Sequence, residues 1–216
     1  MSLVLVVCIP MATSAPVNVR STLRLVTNSP PWGRLPCNQN TPAVEARVKV
    51  LETPRLILRR FSLEDAVFVL ELVNDPAWLE HIGDRNVRTV EDARVYLRKG
   101  VLAMYERMGF GMYVVTLRTS GESIGVCGLI KRDTLEDVDI GFAFLPQHRG
   151  QGFALESAAA VLEYGKGEVG LERIVAIVSP ANHRSIRILE KIGLVFERMV
   201  KLPGDEEEIR LYAWER

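Results

Sequence analysis

The feature that most constrains this chain is a glycine-containing loop between an apolar strand and an alanine-rich helix. Val138–Phe144 is apolar, which predicts a buried strand, and Leu145–Ala154 then supplies Gly150 and Gly152 before a helical pattern that reaches Lys166. Amides of a first helical turn have no partner within the helix, and the helix dipole adds partial positive charge there. Glycines let several such amides point at one anion. The loop therefore predicts a site for a phosphorylated cofactor.

Composition indicates one folded domain after an N-terminal extension. The 216 residues hold 27 basic and 27 acidic side chains, but residues 1–44 carry three arginines and no acid. That extension is rich in Pro, Ser, Thr and Asn, which predicts disorder. Arginine without acids also resembles a transit peptide, so organelle targeting stays open. We expect the folded domain to cover residues 51–216.

Charge and cysteine usage exclude several classes of protein. Residues 45–216 hold 24 basic and 27 acidic groups, a net charge of −3, which argues against a nucleic-acid partner. The apolar run Leu3–Ile9 is far shorter than the roughly 20 residues that cross a bilayer, so no membrane association is expected. Cys8, Cys37 and Cys127 lack metal-ligand spacing. We therefore expect no metal and a reducing, cytoplasmic location.

Hydrophobic periodicity predicts a mixed α/β fold. In order, the patterns predict a strand at 55–61, helices at 63–74 and from 89 to about 108, strands at 112–117, 123–131 and 137–144, a helix at 154–166, a strand at 173–178, a helix at 182–192, and strands at 195–201 and 208–214. This order predicts a mostly antiparallel central sheet flanked by helices in one layered domain.

Three motifs resemble those of the GNAT superfamily of acetyl-CoA-dependent N-acetyltransferases. Gln147–Gly152 is similar to the family signature Gln/Arg-x-x-Gly-x-Gly/Ala, and Asn182–Leu194 to the Asn-x-x-Ser…Glu-Lys-Leu-Gly-Phe run of the branch that acetylates ribosomal-protein N-termini. Leu51–Arg59 resembles the first strand of that branch. A dinucleotide site is the rival interpretation, but its third glycine is replaced by Leu155. A connection without a ligand is the other alternative.

The resemblance implies how coenzyme A would bind. The amides of Arg149–Ala154 are expected to meet the pyrophosphate, and the strand before the loop is expected to bend away from its neighbour. Backbone groups at the end of that strand would then bind the pantetheine arm, with one amide near the thioester oxygen. The expected cofactor residues are Phe144, Leu145, Gln147, Arg149, Gly150, Gln151, Gly152, Phe153, Ala154, Asn182 and Ser185.

Two residues are candidates for the proton steps. Many relatives carry Tyr seven residues after the motif Asn, where this chain has Leu189, so Ser185 is the candidate acid for the leaving thiolate. Its alternative role is a hydrogen bond in the first helical turn. Asp139 is expected on the strand face opposite Ile140 and is the candidate base, acting on the amine through a water. Its alternative role is that of a solvent-facing acid.

Trp78, Glu80 and Asp84 are the candidate residues for binding an amine. They follow Asp75-Pro76, which is expected to end the first helix, and they lie in a stretch that is irregular enough to be an ordinary loop instead. The resemblance implies acetyl transfer from acetyl-CoA to a primary amine, either a protein N-terminus or a small molecule. The alternative is a non-catalytic regulatory module that binds acetyl-CoA. The oligomeric state, including a homodimer, stays open.

Overall fold

The computed structural model describes residues 48–203 and 207–216, whose strands form one eight-stranded sheet with helices on both faces. The strands are β1 (Lys49–Glu52), β2 (Leu56–Arg59), β3 (Met112–Leu117), β4 (Ser123–Lys131), β5 (Val138–Phe144), β6 (Arg173–Val178), β7 (Val195–Val200) and β8 (Ile209–Glu215). The helices are α1 (Ala66–Val73), α2 (Pro76–His81), α3 (Val90–Leu97), α4 (Ala103–Met108), α5 (Phe153–Gly167) and α6 (His183–Lys191). The expected extension at residues 1–44 lies outside the described residues.

The sheet is mostly antiparallel, as the sequence predicts. Its strand order is β1-β2-β3-β4-β5-β6-β8-β7, and β5 with β6 is the one parallel pair within the described part of the chain. A parallel pair needs a long crossover, which α5 provides between β5 and β6. The sequence patterns did not predict β1, a four-residue strand that pairs with β2 at the sheet edge.

Successive residues of the central strand β4 face two different helical layers. Val126 lines an apolar hollow beneath α1, α2 and α3, whereas Leu129 on the opposite face lies against α5 beside Gly165. Both faces of the strand are therefore covered, which explains why β4 is a nearly continuous apolar run. None of the helices within residues 48–203 and 207–216 has the length and apolar character needed to cross a bilayer.

The region around Asp75 differs from the prediction. Helix α1 ends at Val73 as expected, but the next segment is helical instead of irregular. The Asp75 carboxylate caps α2 by accepting from the amides of Ala77 and Trp78, at 3.1 and 3.4 Å. Proline is favoured at the first position of a helix, because its missing N–H would have no partner there. Pro76 is therefore the first residue of α2, and α1 ends before it, at Val73.

The predicted helix from 89 to 108 is interrupted by one wide turn. Thr89 and Asp92 form the predicted capping box, with reciprocal hydrogen bonds of 2.9 and 3.1 Å. Residues Arg98–Leu102 then adopt a π-helical turn that separates α3 from α4. Such turns insert one residue into the helical repeat, and no simple periodic pattern reveals them.

Candidate active site

Strands β5 and β6 pair only as far as Asp139 and then diverge. On its other edge, β5 stays paired with β4, and the amide of Leu145 donates to the Ile124 carbonyl at 3.0 Å. Backbone groups alternate sides along a strand. The amide and carbonyl groups of Phe142 and Phe144 therefore face the gap between β5 and β6. The expected bend of this strand is confirmed, and the gap presents backbone groups that an extended ligand can bind as a strand would.

A groove of about 180 Å³ opens where β5 ends. Its walls are formed by Phe144, by the loop and the first turn of α5, and by one side of α6. Gly150 and Gly152 have φ of +77° and +83°, a conformation in which side-chain-bearing residues are disfavoured. Gly152 is also the N-cap of α5. The free amides of that helix therefore start at the groove, as an anion site requires.

Two cations on α6 complete the groove. Arg187 and Lys191 are one helical turn apart and both line it. Neither forms an ion pair with another of the described residues. Their charges are thus available to a phosphorylated ligand. This pair was not among the site residues predicted from the sequence, although two cations four residues apart on a predicted helix are a recognisable signal.

Ser185 lies one turn before the groove-lining Ile188 of α6. Its amide donates to Asn182 Oδ1 at 3.2 Å, which confirms Asn182 as the N-cap. The Ser185 hydroxyl is fully buried and has no hydrogen-bond partner among the described residues. A buried hydroxyl without a partner costs about 1–3 kcal/mol. Such a group fits a site that a polar ligand completes.

A sequence model described as the acetyltransferase (GNAT) domain matches residues 55–195. The chain belongs to the GNAT acetyltransferase family. This acetyltransferase is 33% identical over 151 residues to the uncharacterized N-acetyltransferase YnaD of Bacillus subtilis (strain 168), covering 70% of this chain and 85% of YnaD.

Two solved structures illustrate the shared fold. This acetyltransferase is 30% identical to a GNAT-family acetyltransferase from Bacillus anthracis, with a TM-score of 0.64. The superposition covers 76% of this chain and 96% of that one. It also resembles RimL, a ribosomal L7/L12 alpha-N-protein acetyltransferase in complex with coenzyme A, at 20% identity and a TM-score of 0.65. That alignment covers 76% of this chain and 95% of RimL. The mixed α/β expectation and the family resemblance are both confirmed.

The expected cofactor residues of this acetyltransferase divide into two groups. Six line the groove: Phe144, Arg149, Gly150, Gly152, Phe153 and Ala154. The other five, Leu145, Gln147, Gln151, Asn182 and Ser185, are not among the residues that line it. The Leu145 amide is already bonded to β4, so it is not the backbone donor that we expected at the gap. The Gln151 side chain donates to the Gln147 carbonyl at 3.0 Å, which holds the loop together from within.

The Arg149 guanidinium is held by protein groups. Its Nε donates to the Phe144 carbonyl at 2.8 Å, and its Nη2 donates to Asp75 Oδ1. Only 12% of the side chain is exposed. Arg149 was predicted from the sequence as a cofactor residue. In the structure, Arg149 lines the groove, and its guanidinium is bound to Asp75, the N-cap residue of α2.

Asp139 lies on the predicted face but in a different environment from the one we expected. It is opposite Ile130 of β4, on the other face from Ile140. The carboxylate is fully buried, and its two oxygens accept from Arg132 Nε and Nη2 at 2.8 and 2.9 Å. Burial raises the pKa of Asp139, and the guanidinium opposes that rise. A water-accessible carboxylate was expected, and this part of the prediction is wrong. The role as base stays a prediction.

The three candidate amine-binding residues have separate environments. Trp78 is buried against an apolar hollow of about 30 Å³, and its indole N–H has no partner among the described residues. Glu80 is exposed on α2. Asp84 accepts two hydrogen bonds from Arg88, which lower its pKa to about 2. Trp78 therefore has an unused indole N–H and Glu80 an exposed carboxylate, whereas the charge of Asp84 is already paired.

A second ion pair supports the glycine loop from behind. Glu156 accepts from the Thr53 hydroxyl and from Arg55 Nε, both at 2.6 Å. Arg55 Nη1 donates in turn to the Gln151 carbonyl at 2.9 Å. Burial opposes ionisation of Glu156, but these donors hold its pKa below the usual value. The start of β2 is thereby tied to the loop and to the first turn of α5, a link that the sequence analysis did not identify.

Proposed function

We propose that this acetyltransferase moves an acetyl group from acetyl-CoA to a primary amine, of a protein N-terminus or a small molecule, by direct attack on the thioester. One observation carries the proposal: the unpaired backbone of β5 runs directly into a glycine loop at a helix N-terminus. A ligand with an extended arm and a pyrophosphate matches both parts in that order.

The charges and the buried polar groups of the site fit coenzyme A. Loop amides and the two α6 cations, Arg187 and Lys191, match its phosphates, because charge-assisted hydrogen bonds to phosphate are strong. The backbone groups of Phe142 and the amide of Phe144 match the amides of its arm, while the Phe144 carbonyl is bound by Arg149 Nε. Ser185 offers a hydroxyl that no described residue uses. Acetyl-CoA supplies an activated acyl group. The protein must stabilise charge on the carbonyl oxygen, protonate the departing thiolate and accept a proton from the amine.

Each of those tasks has a candidate group in the site. The Phe144 amide faces the gap and is the candidate donor to negative charge that develops on the carbonyl oxygen. The Ser185 hydroxyl is the candidate proton donor to the departing thiolate. Asp139, the candidate base, is held by Arg132. An α-amino group has a pKa near 8, against about 10.4 for lysine, and so needs less help from a base. This favours an α-amine as substrate.

Replacing Ser185 by alanine separates a catalytic role from a structural one. We expect Ser185→Ala to keep or raise the free energy of unfolding, by up to about 1 kcal/mol, because it removes a buried hydroxyl without a partner. We expect kcat to fall by at least about tenfold, because the proton donor is lost. Urea unfolding and steady-state kinetics measure the two effects. Lower stability with unchanged kcat would show that the hydroxyl has a structural role only.

The proposed reaction is tested by following thiol release from acetyl-CoA. The purified protein is incubated with acetyl-CoA and a panel of amines: small amines, aminoglycosides, and peptides with the N-termini of ribosomal proteins. We expect amine-dependent release of thiol and an acetylated product by mass spectrometry. Matched peptides with a blocked N-terminus and one free lysine show which amine is used. Coenzyme A binding without turnover in the whole panel would favour the regulatory module instead.

A further inference from the structure

The side chain of Arg149 joins three parts of the molecule that are far apart in the sequence. Arg149 itself belongs to the glycine loop and lines the groove. Its Nε binds the carbonyl of Phe144, where β5 ends beside the gap. Its Nη2 binds the carboxylate of Asp75, which is 74 residues away. A guanidinium suits this position, because its planar fork can serve two acceptors at fixed angles.

Asp75 connects Arg149 to the start of α2. Its Oδ1 accepts from Arg149 and also from the amides of Ala77 and Trp78, so one oxygen serves both the ion pair and the helix cap. The side chain is only 5% exposed, which limits screening by solvent. The amide of Trp78 donates to this cap, and the side chain of the same residue lines the apolar hollow. Arg149 is thereby connected, through Asp75, to the start of α2 and to its tryptophan.

We propose that Arg149 and Asp75 are positioning residues that couple ligand binding in the groove to the order of α2. The inference rests on the proposed function, in which the groove takes coenzyme A, and on the prediction from the sequence that Trp78 and Glu80 of α2 bind the amine. A ligand that orders the loop fixes the backbone of Arg149, and the guanidinium then holds Asp75 and the first amides of α2. Because such coupling is reciprocal, an acceptor that orders α2 raises the affinity for coenzyme A by the same factor.

Hydrogen exchange with coenzyme A alone tests this coupling without any amine. In the wild-type protein we expect coenzyme A to slow exchange at the loop amides and, by at least about fivefold, at the amides of residues 77–82, which lie outside the groove. In Asp75→Asn and in Arg149→Lys we expect the loop effect to remain and the α2 effect to fall below about twofold. Asparagine is an equally good N-cap, and lysine keeps the charge but cannot serve two acceptors as a fork.

Asp137→Asn is the matched control. It breaks another Asp–Arg pair, with Arg173 at 2.9 Å, at the opposite end of β5. In this variant we expect coenzyme A to slow hydrogen exchange at the loop and at α2 as much as in the wild-type protein. If coenzyme A protects the wild-type loop but not α2, or if both variants keep full α2 protection, the coupling is overturned and the groove assignment stands. If coenzyme A fails to protect the wild-type loop, the groove assignment and the coupling are both overturned.

Discussion

Gly152→Val is expected to lower the affinity for coenzyme A by at least about 100-fold, or about 2.7 kcal/mol. The φ of +83° at Gly152 is strongly disfavoured for a β-branched residue. An added Cβ would also lie 3.3 Å from Arg55 Nη2, against the ion pair that supports the loop. To relieve the backbone strain and the close contact with Arg55, the N-cap residue of α5 must rotate. The amides that define the anion site then turn away from the groove.

Calorimetric titration with coenzyme A measures this effect, with thermal unfolding to confirm that the variant is folded. Gly150→Val serves as the graded comparison: it has a similar φ of +77° but open space around its added Cβ, so a smaller loss is expected. Gly167→Ala is the control, because its added Cβ would meet nothing within 4 Å and it lies at the far end of α5. This variant should bind coenzyme A with wild-type affinity. Wild-type affinity in Gly152→Val would overturn the assignment of the loop.

Asp139→Asn is expected to destabilise the fold by about 3–5 kcal/mol. Arg132 and Asp139 are both essentially without solvent exposure, and the substitution removes the negative charge that two nitrogens of the buried guanidinium contact. Denaturant unfolding at neutral pH measures the loss. Asp137→Asn removes the carboxylate of a more exposed pair with Arg173, and there the expected loss is within about 1 kcal/mol.

The double substitution Arg132→Met/Asp139→Leu separates structure from chemistry at this position. Replacing both partners of a buried ion pair by apolar residues of similar size is often neutral, so we expect the stability to return to near the wild-type value. We expect the amine-dependent rate of this stable variant to stay at least about 100-fold below that of the wild type, because the candidate base is absent. A stable double variant with the wild-type rate would instead show that Asp139, whose two oxygens are both bound to Arg132, has a structural role only.

Local patterns predicted most elements of the sheet and its helices. Period-two and helical patterns located β2–β8 and the helices α1, α3, α5 and α6, since each depends on which face of a segment is apolar. The caps at Thr89 and Asn182 were equally predictable, because cap and partner are three residues apart. The helix α2 was missed because a single apolar turn after Pro76 carries too few residues to show a period.

The sequence by itself determined the family and the place where the phosphates of a cofactor are expected. Those features depend on residues that are neighbours along the chain, such as the two glycines and the helix that follows them. Only the tertiary structure decided what the charged side chains do. Arg149 binds Asp75, Arg55 binds Glu156, and Asp139 is enclosed with Arg132. A charge takes the partner that the fold brings within hydrogen-bond reach, and the distance that sets this interaction is measured through space, not along the chain.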